Sequence, residues 1–133
     1  MKTIFLPTLA ALILILPSAI AHPGHHHHSK PGPNGGRVLG SVTPHLEFVV
    51  RKDRKVQIVA LDDEGKATAI GKQVVRVKSG SRSNPTILNF RKWAGKLVSD
   101  ARLPEGEDIP ITVEIQAEKG APKTTAKFSL DVK

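Results

Sequence analysis

Two stretches near the C-terminus alternate so strictly that one backbone geometry suits them. Ile111, Val113, Ile115 and Ala117 alternate with Thr112, Glu114 and Gln116, and Ala126, Phe128, Leu130 and Val132 alternate with Lys127, Ser129 and Asp131. Successive side chains of a strand point to opposite faces, so a period of two gathers the apolar residues of each stretch on one side. A helix would scatter the same residues around its axis. Gly120-Ala121-Pro122 falls between the two stretches and supplies the turn that joins them.

The same period runs upstream. Leu46, Phe48 and Val50 alternate with His45 and Glu47, and Val56, Ile58 and Ala60 follow after the short charged link Arg51 to Arg54, which predicts a hairpin. Asp62-Asp63-Glu64-Gly65 turns the chain into a short run at Ala67 to Ile70. Gln73 to Lys78 reads as a strand with Val75 and Val77 inward. Beyond the loop from Ser79 to Pro85, Thr86 to Phe90 and Trp93 to Ser99 read as two further extended pieces, before Leu103-Pro104-Glu105-Gly106 turns the chain again. Short strands with turn signals every 8 to 12 residues or so, and no stretch of helical period, predict an all-β, antiparallel immunoglobulin-like β-sandwich of roughly seven to eight strands. The chain has no cysteine and no tyrosine, which excludes the disulfide and tyrosine corner of an antibody domain and leaves the general architecture.

The other end of the chain reads differently. Met1-Lys2, an apolar stretch from Thr3 to Leu16, and Pro17-Ser18 before Ala19-Ile20-Ala21 have the order of a secretory signal: charged start, apolar middle, A-x-A cleavage site. The apolar run is shorter than the roughly 20 residues a spanning helix needs. Residues 1–21 are therefore expected to be removed between Ala21 and His22, leaving the protein periplasmic or secreted. Residues 22–36, HPGHHHHSKPGPNGG, are almost without apolar side chains and are expected to form a flexible histidine-rich arm, with one β-sandwich domain over 37–133.

All six histidines precede Leu46, and five of them, His22, His25, His26, His27 and His28, would stand at the new amino terminus. Neutral imidazole is the commonest metal ligand and suits copper, zinc and nickel, so this cluster is the leading candidate metal site. Cleavage before His22 would also free an α-amine that, with the His22 imidazole and a second histidine such as His45, forms a copper brace. This is the alternative reading, a redox protein. His45 and Glu47 stand two apart on a predicted strand, about 7 Å along one face, and are the candidate ligands on the rigid part of the chain.

Little points to catalysis. There is no thiol, no G-x-S-x-G and no H-E-x-x-H, and the histidines lie together at one end. A binding protein, not an enzyme, is the expectation. Twenty basic residues against 12 acidic ones favour anionic envelope surfaces, which gives a third reading as a cell-surface binding domain with no metal role. Nucleic acid is not expected as a partner, since export separates the chain from it and aromatic stacking platforms are few.

Pro33-Asn34-Gly35-Gly36-Arg37-Val38, followed by Pro44-His45-Leu46-Glu47-Phe48-Val49-Val50, resembles a segment of small periplasmic proteins and accessory domains associated with heavy-metal efflux systems. The shared pattern is H/N-G-G-x-V, a short gap, then H-x-E-F/L-V, with Asn34 where a histidine often stands. The resemblance covers about twenty residues by direct comparison with that pattern. It implies a periplasmic sandwich that handles transition metals or accompanies an efflux pump or its adaptor, with His45 and Glu47 at the H-x-E positions.

Overall fold

The computed structural model describes residues 30–133, and these form antiparallel strands with no helix. The strands are β1 (Arg37–Leu39), β2 (Leu46–Val50), β3 (Lys55–Leu61), β4 (Ala67–Thr68), β5 (Val74–Ser79), β6 (Thr86–Leu88), β7 (Phe90–Trp93), β8 (Lys96–Arg102), β9 (Gly106–Gln116) and β10 (Lys123–Val132). One sheet runs β1-β2-β3-β8-β7, with β4 added beside β3, and the other runs β10-β9-β5-β6.

The two sheets share one core. Leu46, Phe48, Val56, Ile58, Ala60 and Leu97 from the first meet Val75, Val77, Leu88, Ile111, Val113 and Ile115 from the second, all buried in one cluster. The alternation seen in the sequence is therefore the inward face of each strand. Phe48 of one sheet meets Phe128 of the other edge to face, with ring centroids 5.3 Å apart, and the Arg37 guanidinium lies over the Phe128 ring, 4.5 Å from its centroid.

Several expectations change in detail. Ten strands stand among the described residues in place of seven to eight. The piece expected over Trp93 to Ser99 is interrupted by a hairpin turn, because Ala94 and Gly95 both adopt positive φ (48° and 74°), the geometry of a tight turn between β7 and β8. Thr86 to Phe90 is also divided, since β6 belongs to one sheet and β7 to the other. In β2 exposure departs from the alternation, since Val50 at its end is exposed and Glu47, on the outward face, is buried.

The last part of the expected arm is ordered as well. Pro31 bridges Arg37, Gly32 N–H donates to the Gly36 carbonyl at 2.9 Å, and Gly35 N–H donates to the Gly32 carbonyl at 2.9 Å. Apolar burial does not hold this loop; a carboxylate does, as the site geometry shows. The secretory signal expected over residues 1–21 and the five histidines before residue 29 lie outside the described residues. Among the described residues no helix is long and apolar enough to cross a membrane.

Candidate functional site

Glu47 sits on the outward face of β2, opposite Val38 of β1 and Val59 of β3, yet its relative exposure is 0%. A carboxylate removed from water requires donors in exchange, or the cost of burying it stands uncompensated. The loop 31–36 supplies them. Asn34 N–H and Gly36 N–H donate to Oε1 at 3.0 and 2.8 Å, and the Asn34 side-chain amide donates to Oε2 at 2.8 Å. Charge-assisted bonds of this kind are stronger than neutral ones.

The glycines of the loop are needed for this fit. A Cβ at Gly32 would meet the Glu47 carboxyl carbon at 2.4 Å, and one at Gly36 would meet the Phe48 carbonyl oxygen at 2.4 Å. Gly35, at φ 75°, turns the chain between them. Asn-Gly-Gly and the glutamate thirteen residues after Asn34 are thus one unit, a loop seated on a strand and locked by a carboxylate.

His45 takes a different position. It precedes β2, after the cis Thr43–Pro44 peptide, and is exposed to solvent, while its carbonyl oxygen accepts a hydrogen bond from Leu61 N–H at 2.8 Å. The sequence places His45 and Glu47 on one open face as joint ligands. The structure leaves His45 open and covers Glu47, whose two oxygens already carry three hydrogen bonds. Any ion at Glu47 would have to displace loop donors. Among the described residues no group of three or more His, Cys, Asp or Glu side chains is placed to hold a metal ion.

Sequence reasoning had a signal for the lock and assigned it to another role. The Asn-Gly-Gly turn and the H-x-E segment are both visible in the sequence, but strand periodicity places Glu47 with the solvent-facing residues, and nothing in spacing alone reports that a loop folds over it.

Residues 22–28 lie outside the described residues and join the domain in sequence just before this loop. Gly32 packs against the Glu47 side chain, and His28 precedes it by four residues, a reach of up to about 14 Å of extended chain. His45 stands two positions before Glu47, at most about 7 Å of extended chain. The arm is therefore rooted on the part of the molecule that presents His45. No family model matches the chain, and neither a curated protein nor a solved structure shows significant similarity to it.

Proposed function

We propose that this is an exported, periplasmic or secreted, transition-metal-binding protein that captures copper, zinc or nickel with the histidines at positions 22 and 25–28, and that His45 joins them from the rigid domain. The observation that carries the reading is the root of the arm: the loop locked on Glu47 fixes the chain within reach of His45, the one histidine of the ordered domain. Fixing one end of a ligand-bearing segment raises its effective concentration at a neighbouring ligand. Glu47 serves as the anchor of the arm, and the metal is left to imidazole.

The domain itself is read as an immunoglobulin-like sandwich. That reading is supported by strand order, since β2-β3-β8-β7 against β6-β5-β9-β10 follows the A-B-E-D against C′-C-F-G arrangement of such domains. The alternation of signal, histidine cluster and small β-domain supports a role as an accessory to metal efflux or homeostasis, handing an ion to or from a membrane system. The function is binding, with no catalytic step.

Calorimetric titration with Cu(II), Zn(II) and Ni(II) tests the reading. The protein beginning at His22 is compared with a form lacking residues 22–28 and with His45→Ala. Loss of binding on truncation and weaker binding in the His45 variant are expected, together with a fall in uptake in acid as protons compete for imidazole. Equal affinities in full and truncated forms would remove the arm from the function.

A further inference from the structure

The outward face of the first sheet carries a second feature, at the β7–β8 hairpin. Trp93 is the chain's single tryptophan and is 60% exposed, at the rim of the β7–β8 hairpin. It lines a surface cleft of about 250 Å³ with Arg51, Asp53, Lys55, Arg91 and Val98. The pairing explains the assembly: Arg91 faces Val98 of β8, and Val98 faces Gln57 of β3, so β7, β8 and β3 place outward side chains in one row. Arg91 and Trp93, two apart on β7, point the same way.

The charge of this cleft is unbalanced. Asp53 is held by Arg51 at 3.1 Å, whereas among the described residues neither Arg91 nor Lys55 takes part in an ion pair. A large indole left in water beside unpaired cations costs solvation without contributing to the core, and a flat aromatic surface flanked by a planar guanidinium is suited to one kind of ligand. An acidic sugar ring offers an apolar C–H face for the indole and a carboxylate for bidentate pairing with a guanidinium.

We propose that the Trp93 cleft binds an acidic oligosaccharide, a uronate-bearing glycan, with the sugar face on the Trp93 indole and the uronate carboxylate on Arg91, assisted by Lys55. The concave shape and an exposed aromatic that is single among the described residues favour a saccharide chain over a lipid bilayer, into which several protruding apolar side chains would insert. The site is independent of the metal reading, because none of its residues is a metal-ligand candidate and its binding needs no ion.

Trp93 also supplies the assay. With no other tryptophan and no tyrosine in the chain, intrinsic fluorescence reports on this cleft alone. The purified protein is titrated with oligogalacturonate, with a neutral oligosaccharide of the same length, and with phosphatidylglycerol-containing vesicles, each in the presence of a metal chelator. A change in Trp93 emission with oligogalacturonate, weakened by salt, is expected. Calorimetry then compares Arg91→Ala and Trp93→Ala with Arg76→Ala, an exposed position on the opposite sheet that removes the same charge. Losses of about tenfold or more in the first two, with Arg76→Ala within about twofold of the parent, are expected. Melting curves matching the parent confirm that the surface variants fold. Equal binding of the neutral sugar, response to vesicles alone, no response to any ligand, or equal losses in the Arg91 and Arg76 variants would each overturn the proposal.

Discussion

Ser79 and Ser99 are both buried hydroxyls, each about 1% exposed, and their surroundings predict opposite responses to the same substitution. Ser99 Oγ accepts Val56 N–H at 2.9 Å and donates to the Ala101 carbonyl at 2.7 Å. Val56 lies where the β3–β8 register shifts, so the hydroxyl satisfies a backbone donor that the ladder leaves without its regular partner. Ser79 Oγ, at the inward end of β5, has no hydrogen-bond partner among the described residues. Ser99→Ala is expected to lower stability by roughly 1–3 kcal/mol, the cost of stranding a buried donor, and Ser79→Ala to leave it unchanged or raise it by up to about 1 kcal/mol. Urea denaturation of the two variants beside the parent checks both signs. Neither role was legible in the sequence, where both serines are small polar residues near strand ends. Glu47 makes the same point with more consequence. Alternation correctly assigns Leu46 and Phe48 to the core and correctly puts Glu47 on the other face. It does not report whether that face is wet, because covering it depends on a loop eleven to thirteen residues away in sequence.

Strands are most legible in the sequence where they are long and one-sided. β9 and β10 pair along almost their whole length, from Lys123 opposite Gln116 to Leu130 opposite Ile109, and their sequence pattern is unbroken there. The region around β6, β7 and β8 is least legible in the sequence, because its boundaries depend on backbone conformations that its residues do not advertise. Ala94 occupies a positive-φ position where asparagine or glycine is the usual signal, and Asn89 is a single residue at which the chain leaves one sheet for the other. Asp100 holds that crossing in place. Its Oδ1 accepts Asn89 N–H at 3.0 Å, and its own N–H donates to the Asn89 carbonyl at 2.9 Å. Desolvation pushes the Asp100 carboxyl upward, but the N–H groups of Asn89 and Ala101 outweigh it and hold the carboxyl below the usual aspartate range. A group whose folded pKa is depressed contributes stability above its unfolded pKa and loses it as the pH falls through the folded one. Asp100→Asn is therefore expected to be less stable than the parent at neutral pH, with the gap closing in acid below the ordinary aspartate pKa. Urea midpoints at a series of pH values would show the convergence. A constant gap would mean that ionisation of the Asp100 carboxyl contributes nothing at this crossing and that the difference lies in exchanging an oxygen for the amide nitrogen.

At the scale of the whole molecule, the boundary between arm and domain decides how binding and folding relate. Composition sets that boundary after Gly36, because residues 22–36 have little apolar surface to bury, whereas the loop from Pro31 to Gly36 is bound into the domain through polar groups on Glu47. Two truncations separate the consequences. Removing residues 22–28 takes away five imidazoles and none of the loop's contacts, so metal binding should be lost while the melting temperature in the absence of metal stays within about a degree of the parent. Extending the deletion through Gly36 removes the three donors of Glu47 and exposes its carboxylate and the neighbouring Val59 face to water. A loss of about 1–3 kcal/mol is expected for stripping charge-assisted bonds from a buried acid, partly offset as water reaches it, which for a domain of this length corresponds to a fall of several degrees in melting temperature. Glu47→Ala, which discards the acceptor and keeps the loop, should fall between the two in stability. It should also weaken metal binding without removing any imidazole, since it frees the root of the arm and lowers the effective concentration of the histidines at His45. If Glu47→Ala bound metal as tightly as the parent, the lock would be a device of folding alone and the arm would act as an independent chelator. If both deletions melted alike, residues 30–36 would belong to the arm, as composition suggested.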